Sequence, residues 1–177
     1  VSADPGAEPP ASVGVGPAPP GVAPDPRVVH AFGRRWPRAL SFERFFWAVA
    51  SLCAAVVLGL SLWLKPDSRG IGTHEQLGLP PCGFVQMFEG MPCPSCGFTT
   101  TFALAAHARP LEAIKNQPFG FVLFVVTVLA VPVTLFAAVR SVSLFEATER
   151  WPWGRVFVGF LLLWLLAWLY KWKVLMG

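Results

Sequence analysis

Three long apolar runs, none interrupted by a charge, govern what this chain can fold into. Residues 45–64 give twenty uncharged residues, about 30 Å of helix and one hydrocarbon thickness. Phe45, Phe46 and Trp47 open the run and Trp63 closes it, as interfacial aromatic belts do. Residues 118–139 form a second uncharged run, of twenty-two. The third, 156–170, has only fifteen residues between Arg155 and Lys171, about 22 Å of helix. It reads as a span whose flanking charges snorkel, with Trp153 and Trp172 at the interface. Only 14% of the residues are charged, against roughly a quarter in a soluble globule. The expectation is a single all-α integral membrane domain over 45–177 with three transmembrane helices.

Residues 1–26 contain eight prolines and no aromatic residue, too little apolar surface to offset ordering entropy, and read as a disordered tail. They have neither the basic start nor the apolar core of a signal peptide. Residues 27–44 read as a basic juxtamembrane segment on anionic headgroups, with Phe32, Trp36 and Phe42 among the arginines. In the first span Ser51, Ala55 and Gly59 make a small-residue stripe where another helix, or a second copy, can approach. Cys53 lies on another face and reads as a small hydrophobe. In the second span Ala130, Thr134 and Ala138 repeat the pattern. Pro132 removes a backbone hydrogen bond there and is expected to kink the helix, with Thr127 or Thr134 available for the freed carbonyl. Trp164, Trp168 and Trp172 recur every fourth residue in the third span, which suits lipid contact or helix packing better than a cofactor.

Basic residues set orientation. Arg27, Arg34, Arg35, Arg38 and Arg44 precede the first span and three more arginines lie between the second and third, eight against six on the other side. That excess favours a cytoplasmic N-terminus and an extracytoplasmic 65–117 loop. The net charge of +4 belongs to this pattern, and with no interleaved basic and aromatic groove nucleic acid is not an expected partner. The expected partner is the lipid bilayer.

The 65–117 loop is too long to be a simple turn, and it carries Cys82, Cys93 and Cys96. Cys93-Pro94-Ser95-Cys96-Gly97 is a tight knuckle whose turn aims two sulfurs at one point. Three readings stay open. The three thiolates could bind a metal, and tetrahedral zinc suits them best. The fourth ligand would be His74, Glu89 or water, since His107 lies about three helical turns from Cys96. Alternatively Cys82 forms a disulfide with Cys93 or Cys96. Or Cys93 and Cys96 are a catalytic pair, as in thioredoxin-type sites where a helix N-terminus lowers a thiol pKa.

After the knuckle, residues 98–108 are too few to span and read as a short interfacial or re-entrant helix capped by Thr99, Thr100 or Thr101. Pro110 suits the first turn of another short helix, ending at Asn116. No Ser/His/Asp set, phosphate-binding glycine loop or paired carboxylate points to a hydrolase or nucleotide enzyme.

Cys82, the run Met91 to Thr100 and Asn116-Gln117-Pro118-Phe119-Gly120 resemble the bacterial domain-of-unknown-function family 2752, over roughly residues 45–140. The family is similar in its first span, its C…CPxCGxT loop, its short helix and its N/Q-P approach to the next span. Thr99-Thr100 departs from the Thr-Arg of many members. The resemblance implies a bacterial origin and a membrane location, and no activity. The leading expectation is a non-enzymatic bacterial inner-membrane module whose loop is organised by Cys82, Cys93 and Cys96. The alternative is a membrane thiol–disulfide oxidoreductase using Cys93 and Cys96.

Overall fold

A computed structural model describes residues 27–31, 33–88 and 91–176; the tail expected over 1–26, Phe32 and the candidate ligand Glu89 lie outside the described residues. Two short strands, β1 (Val28–Ala31) and β2 (Arg34–Pro37), are followed by α1 (Ser41–Trp63), a 3-10 turn (Thr73–Leu77), α2 (Gly83–Met87) and α3 (Phe98–Ala106). Then come α4 (Pro110–Asn116), α5 (Pro118–Arg140), α6 (Leu144–Thr148) and α7 (Trp153–Met176).

Three of these helices, α1, α5 and α7, are long and apolar enough to cross a membrane, and they mark the chain as a multi-pass membrane protein. The short third run proves to be part of a longer element. At 24 residues, α7 reaches about 36 Å, because Lys171 and Lys173 continue the helix rather than end it. Its first eleven residues are all exposed, which for Val156, Phe157, Val158 and Leu162 means lipid.

The strands were not anticipated. Val28, Val29, His30 and Ala31 pair antiparallel with Pro37, Trp36, Arg35 and Arg34. Gly33 takes the left-handed backbone (φ 68°) that the tight turn between them needs. The hairpin docks on the far end of the spans: Ser143 N–H donates to Pro37 O at 2.9 Å and Ala39 N–H to Ser141 O at 2.8 Å. Glu43 there accepts from Leu40 N–H (3.1 Å) and from Ser143 Oγ (3.1 Å), fastening the start of α1 to the end of α5. Within the stretch read as a headgroup anchor, β1 and β2 thus form a hairpin tied to the 141–143 connection.

The closest helix pair is α1 with α5. Ser51 Oγ donates to Val131 O at 3.2 Å and Arg44 Nε to Ala138 O at 3.2 Å. Thr134 and Ala138 are buried and Ala130 half-buried, so the second small-residue stripe serves this contact. The first stripe divides. Ser51 is buried against α5, whereas Ala55 and Gly59 are exposed, because the buried face of α1 advances through Ser51, Ala54, Leu58 and Ser61, closer to a 3.5-residue repeat than to a strict four.

Helix α5 runs on through Pro132. Neither nearby threonine serves the freed carbonyl of Val128: Thr127 donates to Leu123 O at 2.8 Å and Thr134 to Ala130 O at 2.7 Å. Each hydroxyl instead takes the carbonyl one turn back on its own helix.

Candidate metal centre

Two glycines shape the knuckle. Cys96 N–H donates to Cys93 O at 2.9 Å and Phe98 N–H to Ser95 O at 3.2 Å, two consecutive turns that reverse the chain. Gly97 then takes φ +90°, and a Cβ on it would lie 2.9 Å from the carbonyl oxygen of Gly70. Gly70 is left-handed as well (φ +72°), and a Cβ there would come 2.5 Å from Asn116 Oδ1. The 65–72 segment therefore presses backbone to backbone on the knuckle, an approach open only to residues without a Cβ.

This folding brings Cys82, Cys93 and Cys96 together, their sulfurs all within 4.8 Å of one another. Cys93 and Cys96 Sγ are 3.0 Å apart, and Cys96 and Cys82 Sγ 3.8 Å. No disulfide joins any two of the three. Cys93 N–H points at Cys96 Sγ at 3.1 Å, a donor that favours negative charge on that sulfur. Against it, burial pushes the Cys96 thiol well up from its ordinary value, helped by the neighbouring thiols of Cys93 and Cys82. A bound cation would favour the thiolate form of such a site.

The three cysteines line a cavity of about 430 Å³ together with Arg69, His74, Glu75 and Thr99. His74 thus faces the same space as the sulfurs. Arg69 bridges Asp67 at 2.8 Å and Glu75 at 3.0 Å across the rim. Hydrogen bonds from Arg69 hold the Asp67 carboxyl below its usual range. His107 is exposed and its Nδ1 lies 2.8 Å from Ala103 O on its own helix, so it has no part in the knuckle. Cys53 is exposed on α1, outside the cluster.

Beneath the knuckle lies a polar node with no counterpart in the sequence reading. Thr73 and Thr100 hydroxyls meet at 2.8 Å in a fully buried position. Asn116 Nδ2 donates to Gly97 O at 3.2 Å and to Thr101 Oγ1 at 2.9 Å. The threonines do not cap α3, whose N-cap is Gly97 without a side-chain bond; Thr100 and Thr101 sit inside the helix and bond across to other elements. Lys171, only 2% exposed, donates to Gly70 O at 3.2 Å and to Asn116 Oδ1 at 2.7 Å. It turns inward and does not snorkel. Trp168 Nε1 donates to Pro92 O at 2.9 Å, and Trp168 stacks on Trp172 with ring centroids 6.2 Å apart. The tryptophan stripe is helix packing here, aimed at the knuckle.

As expected, Pro110 starts α4 and Asn116 ends it, and α5 begins at Pro118. Gln117 at the joint is completely buried, and both ends of its amide are without a hydrogen-bond partner among the described residues. The family resemblance marked Asn116 and Gln117 but not their partners, and nothing in the sequence distinguished Lys171 from an ordinary interfacial lysine, since these partners are remote along the chain.

Residues 82–131 match the model of a family of proteins of unknown function, DUF2752. The match takes in the three cysteines, α3, α4 and the first part of α5; α1 and α7 lie outside it. No curated protein and no solved structure shows a significant match to the chain.

Proposed function

We propose that this chain is a non-enzymatic module of the bacterial inner membrane, whose 65–117 loop is held in shape by one zinc-class divalent ion on Cys82, Cys93 and Cys96. The observation that carries the reading is the convergence of three sulfurs from two separate stretches of loop within 4.8 Å of one another. A disulfide needs only two. Around tetrahedral zinc, sulfurs bound at about 2.3 Å stand about 3.8 Å apart. Cys96 and Cys82 already have that spacing, at 3.8 Å, and the Cys93–Cys96 pair at 3.0 Å would open to reach it. The fourth position falls to water or to His74, which shares the cavity.

A redox pair, the alternative for Cys93 and Cys96, requires a thiol ionised near neutral pH. It would leave Cys82 Sγ, 3.8 Å from Cys96 Sγ, without a role, which favours the metal reading. In the orientation set by the arginines, the N-terminus is cytoplasmic and the loop extracytoplasmic. The bilayer is the partner that the exposed apolar faces of α1, α5 and α7 call for. Packing with another membrane protein, or with a second copy, would use Ala55 and Gly59 of the first stripe.

Metal analysis of the purified full chain tests the proposal. We expect about one equivalent of zinc-class metal per chain, lost in Cys93→Ser and in Cys82→Ser. Metal-free protein with three readily alkylated loop thiols in native membranes would overturn it.

A further inference from the structure

Lys171 is anomalous for a lysine near the end of a spanning helix. Such residues run their stems along apolar surface and place the ammonium in water, as its exposed neighbour Lys173 is free to do. Lys171 is instead 2% exposed, and both of its hydrogen-bond acceptors, Gly70 O and Asn116 Oδ1, are neutral. Among the described residues no carboxylate lies within ion-pair distance of it. A buried charge without an opposite charge is costly, so an anion within reach would stabilise the charged form of Lys171.

The nearest candidate is the cysteine cluster. A Cβ on Gly97, the residue after Cys96, would lie 3.4 Å from Lys171 Nζ. Three thiolates around a divalent ion carry a net charge of minus one. One ammonium cancels it.

We propose that Lys171 is the fixed counter-charge of the three-thiolate metal site, making the loaded knuckle electrically neutral inside a poorly solvated pocket. It acts as a positioning residue: it touches no ligand atom, and it reaches the site by pinning Gly70 and Asn116, which in turn cradle Gly97. This inference rests on the metal reading above. It adds that the site is incomplete without α7, although α7 lies outside the segment that matches the family model.

The test is a cobalt titration of the purified full chain in nanodiscs, with zinc competition, on the wild type, Lys171→Met and Lys171→Gln. Glutamine, one bond shorter, removes the charge and keeps an N–H donor for Gly70 O or Asn116. We expect both variants to weaken binding about tenfold or more, the scale of lost outer-shell partners, with unchanged helical circular dichroism. Should Lys171→Met fail to fold, Lys171→Gln decides alone. Wild-type affinity in a folded Lys171→Gln would overturn the counter-charge and leave the metal site standing. Failure of the wild type to bind any metal would overturn both.

Discussion

The side-chain oxygen of Asn116 accepts a 2.7 Å hydrogen bond from the Lys171 ammonium, while its nitrogen donates to Gly97 O and Thr101 Oγ1. One amide thus joins α4, α3, the knuckle and α7. Asn116→Leu keeps much of the volume and removes every one of these bonds, leaving a buried ammonium with a single acceptor. We expect a loss of about 2–4 kcal/mol, read as a lowered thermal midpoint in detergent, together with faster alkylation of Cys93 and Cys96.

Gly97 and Gly59 should respond oppositely to an added methyl group. Gly97→Ala places a Cβ against a backbone carbonyl at φ +90°, where a non-glycine residue is strained by about 1–3 kcal/mol before any clash. Gly59, inside the C-terminal part of α1, meets nothing within 4 Å. There alanine should be neutral or stabilising by up to about 1 kcal/mol, as helix propensity dictates. Thermal melts of the two variants side by side check this, and an equal response would contradict the close approach of Gly70 and Gly97.

Gln117 offers a test of a buried polar group. Its amide is sealed from solvent with neither atom bonded among the described residues. An apolar side chain of the same shape removes the desolvation cost without losing a bond. Gln117→Met is therefore expected to raise stability by about 1 kcal/mol. A drop of similar size would mean that the amide is hydrogen-bonded inside the folded protein.

Acid should loosen the cavity rim selectively. Because Arg69 lowers the Asp67 pKa in the folded protein, ionised Asp67 favours folding above its unfolded value, about 4. That contribution disappears as pH falls through the lower folded value. Between about pH 5 and pH 3 the wild type should therefore lose more of its thermal midpoint than Asp67→Asn, which has no such proton to bind. Identical pH profiles would show that the rim bridge contributes nothing.

Much of this architecture was legible from one-dimensional pattern. Uncharged apolar runs place α1 and α5 because a bilayer admits only backbones that satisfy themselves. Pro110 and Pro118 mark helix starts because their missing N–H costs nothing there. The β1–β2 hairpin was not legible: basic residues suit headgroups and strands alike, and what fixed Pro37 and Ala39 was pairing with Ser141 and Ser143, a contact across the whole domain. Helix α7 runs beyond the expected end of the third span for a related reason. Lys171 looked like a boundary because charge normally leaves the membrane.

By itself the sequence determined the three spans, the cysteine spacing and the short helices after it, since length, charge and proline act locally. Tertiary structure decided that Cys82 joins Cys93 and Cys96, that Gly70 and Gly97 touch, and that Lys171 turns toward them rather than to water. Those relations depend on how α7 and the loop meet, and no local propensity encodes which remote carbonyl or sulfur will compensate a buried charge.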